Sequence, residues 1–439
     1  MARIKIHSTG KKKTVGATRS PERGEQGVAL LVVLTLLAVI LSLVTEFTTN
    51  STVNYMSAVN ARESMRAQFL NRSGANLAQL VIRVQTDLLD KNRQMLGDIQ
   101  ISELPMLSLM LGAFGSSTEE ATALASAFGG FEAKAIKGLG VAAGRFDVQI
   151  TSDDGKLNVN CANGSKASRD NLRSQLAAMF YFKIYDPLFE EPDVEGWDRR
   201  RDNLVTSIMD YIDTDTIVDG ERGSFEDYGY QSLDDRYKPK NNYIDTVSEI
   251  KLARGVDDRF WTLFGNQFTV YGGCKVNIGA LADPRLIASL ISLSPKDKED
   301  PVVQDPQLLW KLAQRVASAR MRDGPFKDIN SFAEYVQDPT KGDLSRLVAN
   351  AAGGEEPQAP ESQEAVQGVE LNLSLLGQIA TAGPRRLYRV VVTSTFGQTP
   401  DGGARFTRKL TAIWDTQVQN QNMRHRDYRR GSWVFWREE

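Results

Sequence analysis

Gly27-Val28-Ala29-Leu30-Leu31-Val32-Val33-Leu34-Thr35-Leu36-Leu37-Ala38-Val39-Ile40-Leu41-Ser42-Leu43-Val44 is the stretch from which the fold is read. From Val28 onward it is 17 residues of apolar side chains broken only by the small hydroxyls of Thr35 and Ser42. As a helix it rises about 26 Å, slightly short of a ~30 Å hydrocarbon core, and Thr45 and Phe47 extend it to one membrane span. Arg3, Lys5, Lys11, Lys12, Lys13, Arg19 and Arg23 precede it against Glu22 and Glu25, so the leader is basic and belongs on the cytoplasmic side. No second run of comparable length follows.

The chain continues through Glu46-Phe47-Thr48-Thr49-Asn50 without proline or glycine as far as Gly74. A cleaved signal peptide would instead meet a small-x-small site and a turn. The helix is therefore expected to run past the membrane, with Leu77, Leu80, Val81, Val84, Leu88 and Leu89 forming one packed face. Carried to residue 96 it would be on the order of 100 Å long and would need a body to support it. Gly74 is a place where it could bend. An ordinary single-pass anchor has the same spacing.

Farther on, Arg145 to Thr151 alternates at period two, Asp153-Asp154-Gly155 reads as a turn, and Lys156 to Cys161 alternates again, which predicts a hairpin. A longer hairpin is predicted from Leu387 to Thr395 and Phe406 to Asp415. A hairpin alone is marginal, so the two are expected to join in one antiparallel sheet on the long helix. The intervening residues read as mostly helical, over 168–182, 202–212, 245–264, 284–294 and 306–322, with another helix starting after Gly324-Pro325-Phe326. The segment 97–145 holds a short alanine-rich helix from Glu119 to Phe128, and 350–367 reads as a flexible loop. The tail sets Arg424, Arg426, Arg429 and Arg430 beside Trp433, Phe435 and Trp436; it suits anionic lipid, a neighbouring subunit or a strand closing the sheet edge equally well.

A net charge of -2 gives no reason to expect nucleic acid as a partner. The two histidines, His7 and His425, lie near the ends, which nearly excludes histidine-based metal or acid–base chemistry. No G-x-S-x-G, H-E-x-x-H or P-loop is present, so the chain does not read as an enzyme. Cys161 and Cys274 both follow the span, in an oxidising compartment if the leader is cytoplasmic. One disulfide and two buried thiols fit them alike, and a bridge would staple segments of different domains.

The most unusual composition lies between Asp186 and Asp235, where sixteen acidic residues face Arg199, Arg200, Arg201 and Arg222. Asp210-Tyr211-Ile212-Asp213-Thr214-Asp215, Asp219-Gly220-Glu221 and Glu226-Asp227 can bring several carboxylates onto one loop after a helix. Oxygen ligands at this density suit a hard cation, and calcium fits flexible loops better than magnesium. The strict EF-hand pattern is absent, and a solvated acidic surface would have the same composition.

Arg145-Phe146 onward with Lys156-Leu157-Asn158-Val159-Asn160, Met209 to Asp215, Phe225 to Tyr228, Tyr237-Lys238-Pro239-Lys240-Asn241-Asn242, Val247 to Ile250, Val276 to Gly279 and Gly324-Pro325-Phe326 occur in an order that resembles one family. With the basic leader and the apolar helix, the chain is similar to type IV pilin-like proteins, and more closely to the large minor pseudopilin of type II secretion systems, the K component. The resemblance implies an α+β fold, a pilin-like long N-terminal helix packed on an antiparallel sheet, with a large mostly α-helical inserted domain. The organisation expected is a basic prepilin leader (1–27), a transmembrane helix (28–45), an extended periplasmic helix (46–96), a linker and the first part of the sheet (97–165), the inserted domain (166–368), and the rest of the sheet with the tail (369–439).

The family further implies that a prepilin peptidase cuts after Gly27 and that the new amino group of Val28 is methylated. It implies a non-enzymatic subunit of the inner membrane, leader in the cytoplasm and body in the periplasm, at the tip of a pseudopilus whose assembly it initiates. Its partners would be the other minor pseudopilins, the major pseudopilin and the inner-membrane assembly platform. Most pilin-like proteins carry glutamate at the fifth mature position, where this chain has Val32. A glutamate buried there pairs with the amino terminus of the subunit above, and a tip subunit has none above it. Family members bind calcium through acidic loops, which carries over here to Asp213, Asp215, Glu226 and Asp227. A tip pilin of a type IV pilus and a membrane-anchored adhesion module are the rival readings.

Overall fold

The computed structural model describes residues 23–92, 144–190, 198–218, 225–231, 236–340, 366–398, 404–419 and 430–439. The chain divides into two units, Met1–Met65 and Arg66–Glu439. Helix α1 (Arg23–Arg83) provides every described residue of the first. Its apolar side chains from Val28 to Val44 are exposed, as a lipid-facing surface requires. Among the described residues it is the one helix long and apolar enough to cross a membrane. Three threonine hydroxyls in and just after the run are satisfied by the helix itself: Thr35 donates to the Val32 carbonyl (2.9 Å), Thr45 to Leu41 (2.8 Å) and Thr48 to Val44 (2.7 Å).

In the second unit, α1 presents Ala67, Leu70, Ala75, Ala78 and Ile82 to Phe146, Val148, Ile150, Tyr388, Val390, Val392, Phe396, Leu410 and Trp414. The three-and-four spacing makes one apolar stripe, and small residues bring the helix close to the sheet. Gly74 sits on that stripe inside an unbroken helix; a Cβ there would come within 2.6 Å of Val392 Cγ1. The glycine permits close approach and does not bend the helix. After Arg83 the winding loosens into a π turn (Val84–Leu89) and then tightens into a 3-10 turn (Asp90–Asn92).

The sheet holds β1 (Gly144–Ser152), β2 (Leu387–Gln398), β3 (Ala404–Gln419) and β4 (Arg430–Glu438), in that spatial order and antiparallel throughout. The β2–β3 hairpin falls where the alternation predicted it. From Arg430 the tail is a strand on the sheet edge, while Arg424, Arg426 and Arg429 lie outside the described residues. Glu438 at its end accepts hydrogen bonds from Gln68, and from Arg72 at 3.2 Å, on α1.

Lys156 to Cys161 does not return along β1 as the hairpin reading expects. Leu157–Asn158 pairs in parallel with Phe268–Thr269, outside the main sheet. The alternation is real, but Leu157, Val159 and Cys161 point into a different core. Gly155 fits this crossing because a Cβ would lie 2.5 Å from the Ala280 carbonyl oxygen.

Between β1 and β2 lies the mostly helical insertion: α2 (Lys166–Phe180), α3 (Arg201–Ile212), α4 (Asp258–Phe264), α5 (Pro284–Leu293), α6 (Pro306–Asp323), α7 (Ile329–Gln337) and α8 (Leu373–Ile379). Two of these begin on an Asp-Pro pair. Asp283 accepts from the Arg285 N–H (2.8 Å) and Asp305 from Gln307 (2.8 Å), while the proline supplies helical φ where no N–H is needed. Phe180 packs edge-on to Phe260 and Phe264 at the centre of a second core. The glycine turn after α6 is a packing device: Phe326 stacks edge-on to Phe332, and the buried Arg320 donates to the Gly279 carbonyl (3.1 Å). Cys161 and Cys274 form a disulfide with their Cα atoms 5.6 Å apart. Cys161 lies in this second core and Cys274 packs against it, so the bridge closes one body and does not join two. The fold is thus α+β, a long helix on an antiparallel sheet with a large helical insertion. The alanine-rich segment at 119–128 lies outside the described residues, as do nearly all of 97–145 and all but the end of 350–367.

Candidate metal centre

Helix α3 is buried on Leu204, Val205, Ile208, Met209, Tyr211 and Ile212, and ends at Asp213, where the backbone turns extended. That helix end carries partial negative charge, an unfavourable place for a carboxylate unless a cation is near. The chain then passes Thr214 to Asp215, whose Oδ1 accepts from the Ile217 N–H (3.0 Å). An isolated antiparallel bridge from Ile217 to Phe225 brings it back, and the Glu226 N–H donates to the Thr216 carbonyl (3.4 Å). Asp215 and Glu226 thus stand on opposite arms of one loop.

Carboxylate oxygens of Asp213, Asp215 and Glu226 all lie within 4.8 Å of one another. Asp213 is 2 % exposed and Glu226 4 %, while Asp215 forms the open side. At that spacing two full charges repel by about 3 kcal/mol even at an effective dielectric of about 20. Burial, followed by the charges of Asp210 and Asp213, pushes the Glu226 carboxyl up to about 8. Glu226 Oε1 is buried with no hydrogen-bond partner, and so is Oδ1 of Asn241. Arg169 on α2 stands 3.8 Å from Asp215 at the exposed side. Hard oxygen donors, repulsion among them and a buried oxygen with nothing to accept from fit a hard cation.

Three of the four carboxylates expected at the site converge. Asp227 does not: it is ion-paired to Lys238 at 2.6 Å. Its neighbour Glu226 turns inward, so the Glu226-Asp227 pair divides between the cluster and the surface. Asp210, which the sequence placed in the same run, is buried and adds charge to Glu226. Asn163 donates to the Ile212 carbonyl (2.7 Å) and fixes the helix end immediately before Asp213. A third segment, around Asn241, crosses the loop: its N–H donates to the Tyr211 carbonyl (3.1 Å), and its Nδ2 to the Asp215 carbonyl (2.5 Å) and Glu226 Oε2 (2.9 Å). Carboxylate counting missed Asn241; the signal available was a polar Lys-Asn-Asn run after Pro239, with no charge at the residue that matters.

Residues 155–268 match the family described as Type II secretion system (T2SS), protein K. That segment contains Cys161, α2, α3, the three clustered carboxylates and Asn241. Among curated proteins no match is found. Among solved structures the chain is similar to one from "The Crystal Structure of the GspK-GspI-GspJ complex from enterotoxigenic Escherichia coli Type 2 Secretion System", with a TM-score of 0.44 at 14 % identity, over 87 % of this chain and 98 % of that one.

Proposed function

We propose that this chain is the large minor pseudopilin of a type II secretion system, a non-enzymatic subunit at the pseudopilus tip. The observation that carries the reading is the protein K match over 155–268 in a chain that also has an apolar N-terminal helix and a pilin-like sheet. In this reading the leader stays in the cytoplasm, Val28 to Val44 spans the inner membrane and the body stands in the periplasm. Prepilin peptidase cuts after Gly27 and the amino group of Val28 is methylated. The helix then associates with the other minor pseudopilins, and the tip complex starts the pseudopilus that exports folded proteins. Val32, apolar where a stacked subunit would carry a carboxylate, supports the tip place. Asp213, Asp215 and Glu226 would hold calcium, whose charge offsets their mutual repulsion and fixes the loop on the body.

Replacing Gly27 with leucine tests processing and function together. The expected result is an uncut precursor and loss of export of the system's cargo. Normal export with no precursor detected would overturn the assignment. Intact mass offers a second check, since the mature chain should begin at Val28 with one added methyl group.

A further inference from the structure

Asn241 stands in left-handed backbone, φ +46°, the one non-glycine residue with positive φ among those described. Asparagine tolerates that region better than most residues, and here the conformation places its carboxamide across both arms of the acidic loop. Nδ2 donates to the Asp215 carbonyl at 2.5 Å and to Glu226 Oε2 at 2.9 Å. An amide N–H₂ between a carbonyl and a carboxylate does, without charge, what a cation would do at the same oxygens. Its other end, Oδ1, is buried with no hydrogen-bond partner, as is Oε1 of Glu226. Turning the carboxamide over exchanges Nδ2 and Oδ1 while the rest of the residue stays in place. Without a cation that turn would set oxygen against oxygen. With one, it supplies a donor oxygen and releases the Asp215 carbonyl at the same time.

We propose that Asn241 is a further oxygen donor of the cation site, its carboxamide serving as a hydrogen-bonding stand-in when no cation is present and turning over to offer Oδ1 when one binds. The inference rests on the calcium reading of Asp213, Asp215 and Glu226. It answers the count of donors as well, because a calcium ion takes about 6–8 oxygens and three carboxylates supply six only if all are bidentate.

The test uses the full chain in detergent, stripped of divalent ions, with calcium titrated by calorimetry. Terbium luminescence decay in H₂O and D₂O counts the waters on the bound ion. Asn241→Gly keeps the left-handed backbone and removes only the side chain. It should weaken calcium binding about tenfold, as loss of a site-building residue commonly does, and raise the terbium water count by about one. Asn241→Asp keeps an oxygen in place, and should bind calcium within about threefold of wild type with the count unchanged. A glycine variant with wild-type affinity and water count would overturn the role of Asn241 and leave the site standing. A wild-type chain that binds no calcium would overturn the site and this inference together.

Discussion

Arg389 grips Asp153 with two parallel hydrogen bonds, Nε to Oδ1 at 2.9 Å and a terminal nitrogen to Oδ2 at 2.6 Å, where the sheet hands the chain to the insertion. Asp153 is 0 % exposed and also meets Lys156 Nζ at 2.9 Å. Removing the carboxylate leaves two cations facing each other, so Asp153→Asn should cost about 3 kcal/mol, the low end for a broken buried pair because both cations are partly exposed. Arg389→Met should cost less, since Lys156 still neutralises Asp153. Thermal unfolding of the two variants in detergent checks the order, and equal losses would contradict it.

The same pair predicts an acid limb. Burial alone would raise the Asp153 carboxyl, but the hydrogen bonds from Arg389 and the charges of Lys156 and Arg389 prevail and hold it below the usual carboxylate range. A group depressed in the fold contributes stability above its unfolded value, about 3.9, and loses it as pH falls through the folded value. The stability gap between wild type and Asp153→Asn should therefore be constant from pH 7 to about 5 and close below about 4. Asp154 runs the opposite way: burial raises it, although the N–H groups of Leu387 and Arg386 bond its oxygen. It cannot be the source of that limb. A gap that widens in acid would refute the assignment.

The span, the β2–β3 hairpin and most helices of the insertion were legible because each is decided by periodicity within its own residues. Partners in space were not. Lys156 to Cys161 has the alternation of a strand, but period two says nothing about which strand it joins, and the second core won over the sheet. Gly74 reads alike as a hinge or as a contact point until Val392 is seen above it. At the acidic loop, density marked the region, yet adjacent Glu226 and Asp227 diverge, one toward the cluster and one to Lys238. Asn241 lies 26 residues beyond Asp215, and only tertiary structure brings the two together.

Gly74 gives a packing test. Alanine there gains about 1 kcal/mol of helix propensity but forces Cβ against Val392, Phe146 and Val148, an overpacking of about 1–3 kcal/mol. Gly74→Ala should lose about 1 kcal/mol net, and Gly74→Val markedly more. Combining Gly74→Ala with Val392→Ala should cost less than the sum of the two singles, by about 1 kcal/mol, because each relieves the other. Additive losses would show that α1 does not rest on β2 at this point.

Val32 gives a test of position in the assembly. A glutamate within the span costs about 3 kcal/mol unless it is paired. At a tip there is no amino terminus above to pair with, so Val32→Glu should reduce co-purification of the other minor pseudopilins and lower export. Val32→Leu should leave both unchanged. A glutamate variant that assembles and exports like wild type would mean that a partner sits above this subunit, and the tip place would fall.

Chelation tests the acidic loop by linkage. A cation that binds only the folded body stabilises it by about 2.7 kcal/mol at a hundred times its dissociation constant. For a body of this size that is about 3 °C in melting temperature. Excess chelator should remove the increment from wild type, and added calcium should restore it. Asp213→Asn takes out a ligand that is nearly buried, so its melting temperature should respond little to either treatment. Asp227→Asn is the control: its carboxylate is engaged with Lys238 outside the cluster, and the calcium increment should persist in full. Equal melting temperatures of wild type with calcium and with chelator would remove the metal from the loop. The repulsion of Asp213, Asp215 and Glu226 would then be relieved by the proton that Glu226 holds at neutral pH, with its carboxyl at about 8.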